Sequence, residues 1–242
     1  MSWSWVQSLG TLLFVLWIAK QANMYHNMTY PEWVEDLKMA PLPLNDKGFD
    51  FWLGFLKPYS PQTGAKRETI LLHMKVSLAL ALALCFQFLK TVRQKAMPLH
   101  RIVGRVTLVG AFAALPGFAK LVSNFDMPLV QYMEYPVLVM IPYYGIKGWL
   151  QAYNKQIADH KASMIMFASC FFYFGVQRVV MILFGLLHSD PLGKLFPLGP
   201  WKQWDENSYE HFFNISVAWA AIVTFGLGGY KAYVVPAKSK SH

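Results

Sequence analysis

Along the chain, apolar positions fall in long blocks rather than alternating with polar ones. Five blocks, at about 68–90, 99–122, 128–150, 160–187 and 209–234, reach the length of about 20 residues that a helix needs to cross a bilayer. A sixth, "MSWSWVQSLGTLLFVLWIAKQ" at the start, reads as a short span over residues 3–19 with its tryptophans at headgroup level. The pattern predicts an all-α polytopic transmembrane bundle of about six helices with a four-helix core. It divides into an N-terminal helix and surface loop (1–67), the four-helix core (68–187), and a loop, last span and basic tail (188–242). Within the first part, "YPEWVEDLKM" and "FDFWLGFLKPY" read as amphipathic pieces lying on the membrane surface.

Composition supports a membrane class. Of 242 residues, 55% are hydrophobic and only 14% are charged, against about a quarter charged in soluble domains. The net charge of +9 would suggest nucleic acid in a soluble protein. Here the basic residues sit between apolar blocks, so they read as topology signals and contacts to anionic phospholipids, and no nucleic-acid role is expected. With six spans both termini lie on one face, side B, which collects Lys90, Arg93, Lys95, Arg101 and Arg105 in one short connection. That asymmetry puts side B in the cytosol or matrix. The start lacks a basic leader and a small-residue cleavage site, which favours the mitochondrial inner membrane; Asn27 in "NMT" would be a glycan site only if the opposite face, side A, is lumenal. Cys85 and Cys170 both fall inside spans and read as packed thiols.

Candidate chemistry comes from histidines sorted by helix direction. His100 and His160 open helices on side B; His73 and His211 open helices on side A. Each face thus has two imidazoles at similar depth on different helices, the arrangement a bis-histidine b-type haem requires. His100 and His160 are the favoured iron ligands. Gly104, Thr107, Ala111 and Ala114 continue the His100 face, and small residues there admit either a neighbouring helix or a flat macrocycle. From His160 the same stripe runs through Met164, Phe167, Phe171 and Phe174 to Arg178, 18 residues on and about 27 Å away in a straight helix. An arginine inside a span costs about 2.5–3.5 kcal/mol and normally faces a partner within the bundle. Glu134 is the expected partner, with a haem propionate or an anionic quinone-like headgroup as the competing one.

The segments "LLHMKVSLALALALCFQF", "MPLHRIVGRVTLVG" and "IADHKASMIMFASCFFYFGVQR" resemble successive helices of a widespread family of membrane proteins of unknown function. Its pattern falls here on His73, then His100, Arg101, Gly104 and Arg105, then His160 and Met164, then Arg178, over about residues 68–187. The chain departs from it after His160: the family usually has an Arg or Trp close behind that histidine, where this chain reads "HKASMIMF". The resemblance implies four central helices and no particular reaction. In layout the core is also similar to transmembrane b-type cytochromes.

Two functions follow as expectations. In the first, His100 and His160 hold a haem b, Arg101 and Arg105 compensate its propionates, and the chain carries electrons, with a quinone or a larger respiratory assembly as partner. In the second, the chain is a cofactor-free accessory subunit whose HRxxGR motif grips lipid phosphates while its flanking segments dock on other membrane subunits. No nucleotide-binding or flavin motif is present. A channel or transporter ranks third, its one hint being Pro116 and Gly117 inside the third span.

Overall fold

The computed structural model describes residues 16, 19–20, 23, 27–38, 45–57, 64, 66–124, 128–189, 192–195 and 200–234. The expected first span falls largely outside the described residues. Two short helices, α1 (Tyr30–Lys38) and α2 (Asp46–Leu56), precede the bundle. Then come α3 (Arg67–Phe88), the short connector α4 (Lys90–Lys95), α5 (Met97–Ser123), α6 (Pro128–Tyr153), α7 (Ile157–Leu187) and α8 (Glu206–Gly229), which ends in a π turn over Tyr230–Val234.

Helices α3, α5, α6 and α7 run up and down in turn. Each packs on the next, and a lighter contact between α3 and α7 closes the ring. Helices α5 and α7 therefore stand on opposite corners and meet through side chains, Phe118 against Phe171 with ring centroids 6.5 Å apart. Helix α8 lies along α7 and also touches α6. Its Tyr209, Phe212, Val217 and Ala220 belong to the same buried cluster as Leu84, Ala111, Ile141 and Phe167. The last helix is thus part of the core rather than an appendage to four helices.

The outside of this bundle carries many large apolar side chains. Ile102, Val106 and Val109 on α5, Val139, Ile146 and Trp149 on α6, Leu183 and Leu186 on α7, and Trp219 and Ile222 on α8 are all exposed. A continuous girdle of that kind has no place in water; it is a lipid-facing surface. Among the described residues, three helices are long and apolar enough to cross a membrane: α3, α5 and α8 with its π turn. Helix α7 joins them if its halves, Ile157–Tyr173 and Gly175–Leu187, bent by 50°, count as one span. Helix α6 falls short because prolines, tyrosines and Glu134 dilute its apolar run. The five expected downstream spans are thereby reduced to three or four on apolarity alone, although the helix limits agree closely. Pro116 lies within continuous α5, and Pro136 and Pro142 within α6, so none of them breaks a span.

Close approaches are set by small residues. A Cβ on Gly145 of α6 would lie 2.9 Å from the Phe112 ring of α5. On side A, Asn45 caps α2 through Gly48 N–H and donates from its amide to the carbonyls of Trp201, Lys202 and Trp204 at 3.2, 3.1 and 2.9 Å. Gly48 lets the Tyr209 ring lie flat against α2; a Cβ there would be 2.2 Å from Cζ. This clasp ties the N-terminal surface segment to the start of α8.

Candidate functional site at the side B end and a buried polar cluster toward side A

Local structure places His160. Helix α6 ends in a Schellman turn: Gln156 N–H donates to the Gln151 carbonyl at 2.8 Å and Lys155 N–H to that of Ala152 at 3.2 Å. Lys155 takes the left-handed conformation this turn requires, at φ 60°. The chain reverses at once and α7 packs back on α6, so His160 Nδ1 meets the Gly148 carbonyl at 2.8 Å. A carbonyl can only accept, so Nδ1 carries the proton and Nε2 is left with its lone pair when the ring is neutral.

His100 enters from the opposite corner. Pro98 stands in the first turn of α5, where its missing N–H costs nothing. Gln87, at the end of α3, donates to the His100 carbonyl at 3.0 Å and holds that turn in place. His100 Nδ1 is buried and has no hydrogen-bond partner among the described residues. The ring lies within electrostatic reach of His160, Arg93 and Arg101. The two imidazoles singled out from the sequence thus share one end of the bundle, on diagonal helices.

Their expected surroundings differ. The small face at Gly104 is occupied by α3 rather than open to a macrocycle: a Cβ there would be 3.2 Å from Gln87 Oε1. Thr107 and Ala111, further along that face, are buried. Met164 packs on Gly148, whose Cβ would be 2.8 Å from its sulfur, so it fills a helix contact beside His160. Arg101 and Arg105 are both exposed. They lie one turn apart on the outer face of α5, beside Ile102, Val106 and Val109. Two shallow recesses on the outer face of α6, both lined by Ile146 and Leu150, include neither histidine.

The second pair does not assemble. His211 is exposed on α8, whereas His73 on α3 sits edge-on to Phe118 at 5.2 Å, with its Nδ1 buried and without a partner among the described residues. Helix α8 packs on α7 and α6, not beside His73, which is why matched depth does not bring these two together.

Arg178 faces Glu134, as expected, and the two attract each other across the α6–α7 contact. The sequence reading missed the rest of this cluster. Tyr173 is fully buried beside Glu134, and its hydroxyl donates to the Val217 carbonyl on α8 at 3.5 Å. Arg178 Nη1 reaches Gln177 Oε1 and Met181 Sδ, each at 3.4 Å. A tyrosine and a glutamine one turn apart on the buried face of α7 were the available signal, hidden by the more conspicuous arginine. The straight wall from His160 to Arg178 is instead bent within the Tyr173–Gly175 stretch. The Phe174 side chain lies outside the described residues.

Apolar girdle, alternating long helices and a core studded with a few paired polar groups define a polytopic helical membrane protein. More particularly, the chain belongs to the family described as "Predicted membrane protein (DUF2306)", whose model matches residues 70–215. The match runs beyond the motif-bearing helices into the start of α8. No curated protein and no solved structure matches the chain.

Proposed function

We propose that the side B end of the bundle holds one b-type haem between His100 and His160, and that the chain carries electrons within its membrane. The observation behind this reading is the 2.8 Å hydrogen bond from His160 Nδ1 to the Gly148 carbonyl. Metal-bound imidazoles characteristically donate their other ring N–H to a carbonyl or carboxylate, which fixes the tautomer and raises the basicity of the ligating nitrogen. His100, diagonally opposite and within electrostatic reach, supplies the second imidazole. Arg101, within electrostatic reach of His100, would balance propionate charge at the membrane face, whereas Arg105 lies one turn on along the lipid-facing side. Haem contributes reversible one-electron chemistry when bound; the residues' part is to orient two imidazoles, shield them from water and hold charge at the rim. A quinone, or a respiratory subunit in a membrane such as the mitochondrial inner membrane, is the partner class this role calls for.

The test is the visible spectrum of protein purified with haem supplied, before and after dithionite. A sharp reduced alpha band is expected, lost in His100→Ala and in His160→Ala and retained in His211→Ala. A featureless spectrum from the intact chain sinks the reading.

One observation favours a second function. Arg101 and Arg105 both point out of the bundle toward lipid, beside an apolar stripe. In a cofactor-free accessory subunit that pair would grip a lipid phosphate, each basic residue adding about 1 kcal/mol near an anionic surface. Liposome binding that falls in Arg101→Gln/Arg105→Gln, with no haem band in the intact chain, would support it.

A further inference from the structure

The outer face of α6 changes character toward side B. Its two shallow recesses share Ile146 and Leu150, and the first continues over Lys147 and Gln151 to Asn154 at the end of the helix. Trp149 and Tyr153, both exposed, line the second. Aromatic side chains of this kind sit at headgroup level. The polar end of the recess therefore lies where lipid headgroups begin, and its apolar end runs into the hydrocarbon. Val139, also exposed, extends that apolar track two turns further in.

The polar end offers donors and positive charge. Ser163, a buried side chain on α7, donates from its hydroxyl to the Gln151 amide oxygen at 2.7 Å. With its oxygen taken, Gln151 has its two N–H groups to offer the recess. One turn before it, Lys147 holds its ammonium over the Tyr143 ring, 5.5 Å from the centroid. A ring face answers an exposed ammonium only weakly, and a charge on a lipid-facing helix is costly unless it is paired or reaches the interface. Among the described residues that line the two recesses there is no carboxylate. A cation beside an anchored amide donor, with no acid, suits an anion. The apolar track suits an anion that carries acyl chains.

We propose that this face of α6 is a binding site for one anionic phospholipid. Lys147 and the Gln151 amide N–H hold its phosphodiester, and an acyl chain lies over Leu150 and Ile146 toward Val139. Lysine suits the task because its four-carbon stem rests on apolar surface while the ammonium turns to headgroup level. A free phosphate would use the same two donors but none of the apolar track. A zwitterionic lipid would bring a cation of its own beside Lys147. The site is on a different helix from Arg101 and Arg105, and it is independent of whether iron binds between His100 and His160.

The test is native mass spectrometry of the full chain, released from detergent micelles after addition of phosphatidylglycerol or of phosphatidylcholine with the same acyl chains. The adduct with one phosphatidylglycerol is expected to be several-fold more abundant than that with one phosphatidylcholine. Lys147→Gln, checked for unchanged helicity by circular dichroism, should bring the two to the same level, and Lys147→Arg should keep the preference. Arg101→Gln/Arg105→Gln should keep it too, and a millimolar excess of inorganic phosphate should leave the adduct in place. Equal adducts with the intact chain would overturn the proposal, as would a preference that survives Lys147→Gln. So would a preference lost in Arg101→Gln/Arg105→Gln, which would put the lipid on α5, or displacement by inorganic phosphate, which would leave the apolar track without a role.

Discussion

At the side B end, two polar side chains are answered by backbone: His160 Nδ1 donates to the Gly148 carbonyl and Gln87 to that of His100. In the half nearer side A they answer one another, Glu134 with Tyr173 and Arg178, and Arg178 with Gln177. The difference has consequences. A backbone carbonyl stays where the helix puts it, so the His160 imidazole keeps a fixed orientation and a nitrogen to spare. A side-chain cluster has no such anchor, and removal of one member strands the others in a low-dielectric interior.

The largest effect should therefore come from splitting the Glu134–Arg178 pair. Either Glu134→Ala or Arg178→Leu alone leaves a buried charge without its opposite and is expected to cost about 3–5 kcal/mol. The double variant Glu134→Gln/Arg178→Met removes both charges at similar volume and should regain most of that loss. Thermal unfolding in detergent followed by circular dichroism reads all three. Equal destabilisation by the singles and the double would mean that the cluster acts through packing alone. Removing the His160 ring should cost less, since the Gly148 carbonyl it leaves behind already lies within helix α6.

Next comes the side A clasp. Gly48→Ala puts a methyl group 2.2 Å from the Tyr209 ring, which must swing away and give up its contact with Asn45 N–H at 2.9 Å. Overpacking of this kind costs about 1–3 kcal/mol. Limited proteolysis should then cut between α2 and α3 sooner, with the bundle unaffected. On the opposite face, Lys155→Gly should act the other way. Lys155 sits at φ 60°, where a β-carbon is disfavoured and glycine is at ease, so the substitution should stabilise the α6–α7 turn by about 1 kcal/mol. A rise in unfolding temperature with an unchanged helical spectrum is the expected outcome.

These cases also mark what the sequence discloses. Helix limits came through because blocks of apolar residues between Pro, Gly and basic breaks leave the chain few alternatives in lipid. Matched depth placed His100 and His160 at one end, and an intramembrane arginine announced a partner at Glu134. Which corner of the bundle each helix takes was not legible. That depends on interlocking pairs such as Gly145 with Phe112 and Gly104 with Gln87, and no single helix carries that information. For the same reason His73 and His211, equal in depth, stay apart. Asn45 gave no signal either: it bonds to main-chain carbonyls more than 150 residues away, and carbonyls look alike at every position.

The smallest effect belongs to the caps outside the membrane. Asp205 accepts from the hydroxyl of Ser208 at 2.6 Å and from its N–H at 2.8 Å, opening α8. These bonds, the hydroxyl's first, hold its carboxyl below the usual aspartate range. The folded value is the depressed one, so the cap's contribution is fully present above the ordinary carboxylate range and is lost as pH falls through the lower, folded value. Glu32 is held low in the same way, by the Thr29 N–H and then its hydroxyl at the start of α1. Acidification should thus fray the first turns of α1 and α8 while the buried apolar core shared by α6, α7 and α8 keeps the bundle together. Carboxyl resonances of ¹³C-labelled aspartate, followed through acid pH, should show Asp205 titrating below the ordinary aspartate range. Ser208→Ala should move it back up, and a midpoint that Ser208→Ala leaves in place would mean that the side A cap holds by packing and not by its hydrogen bonds.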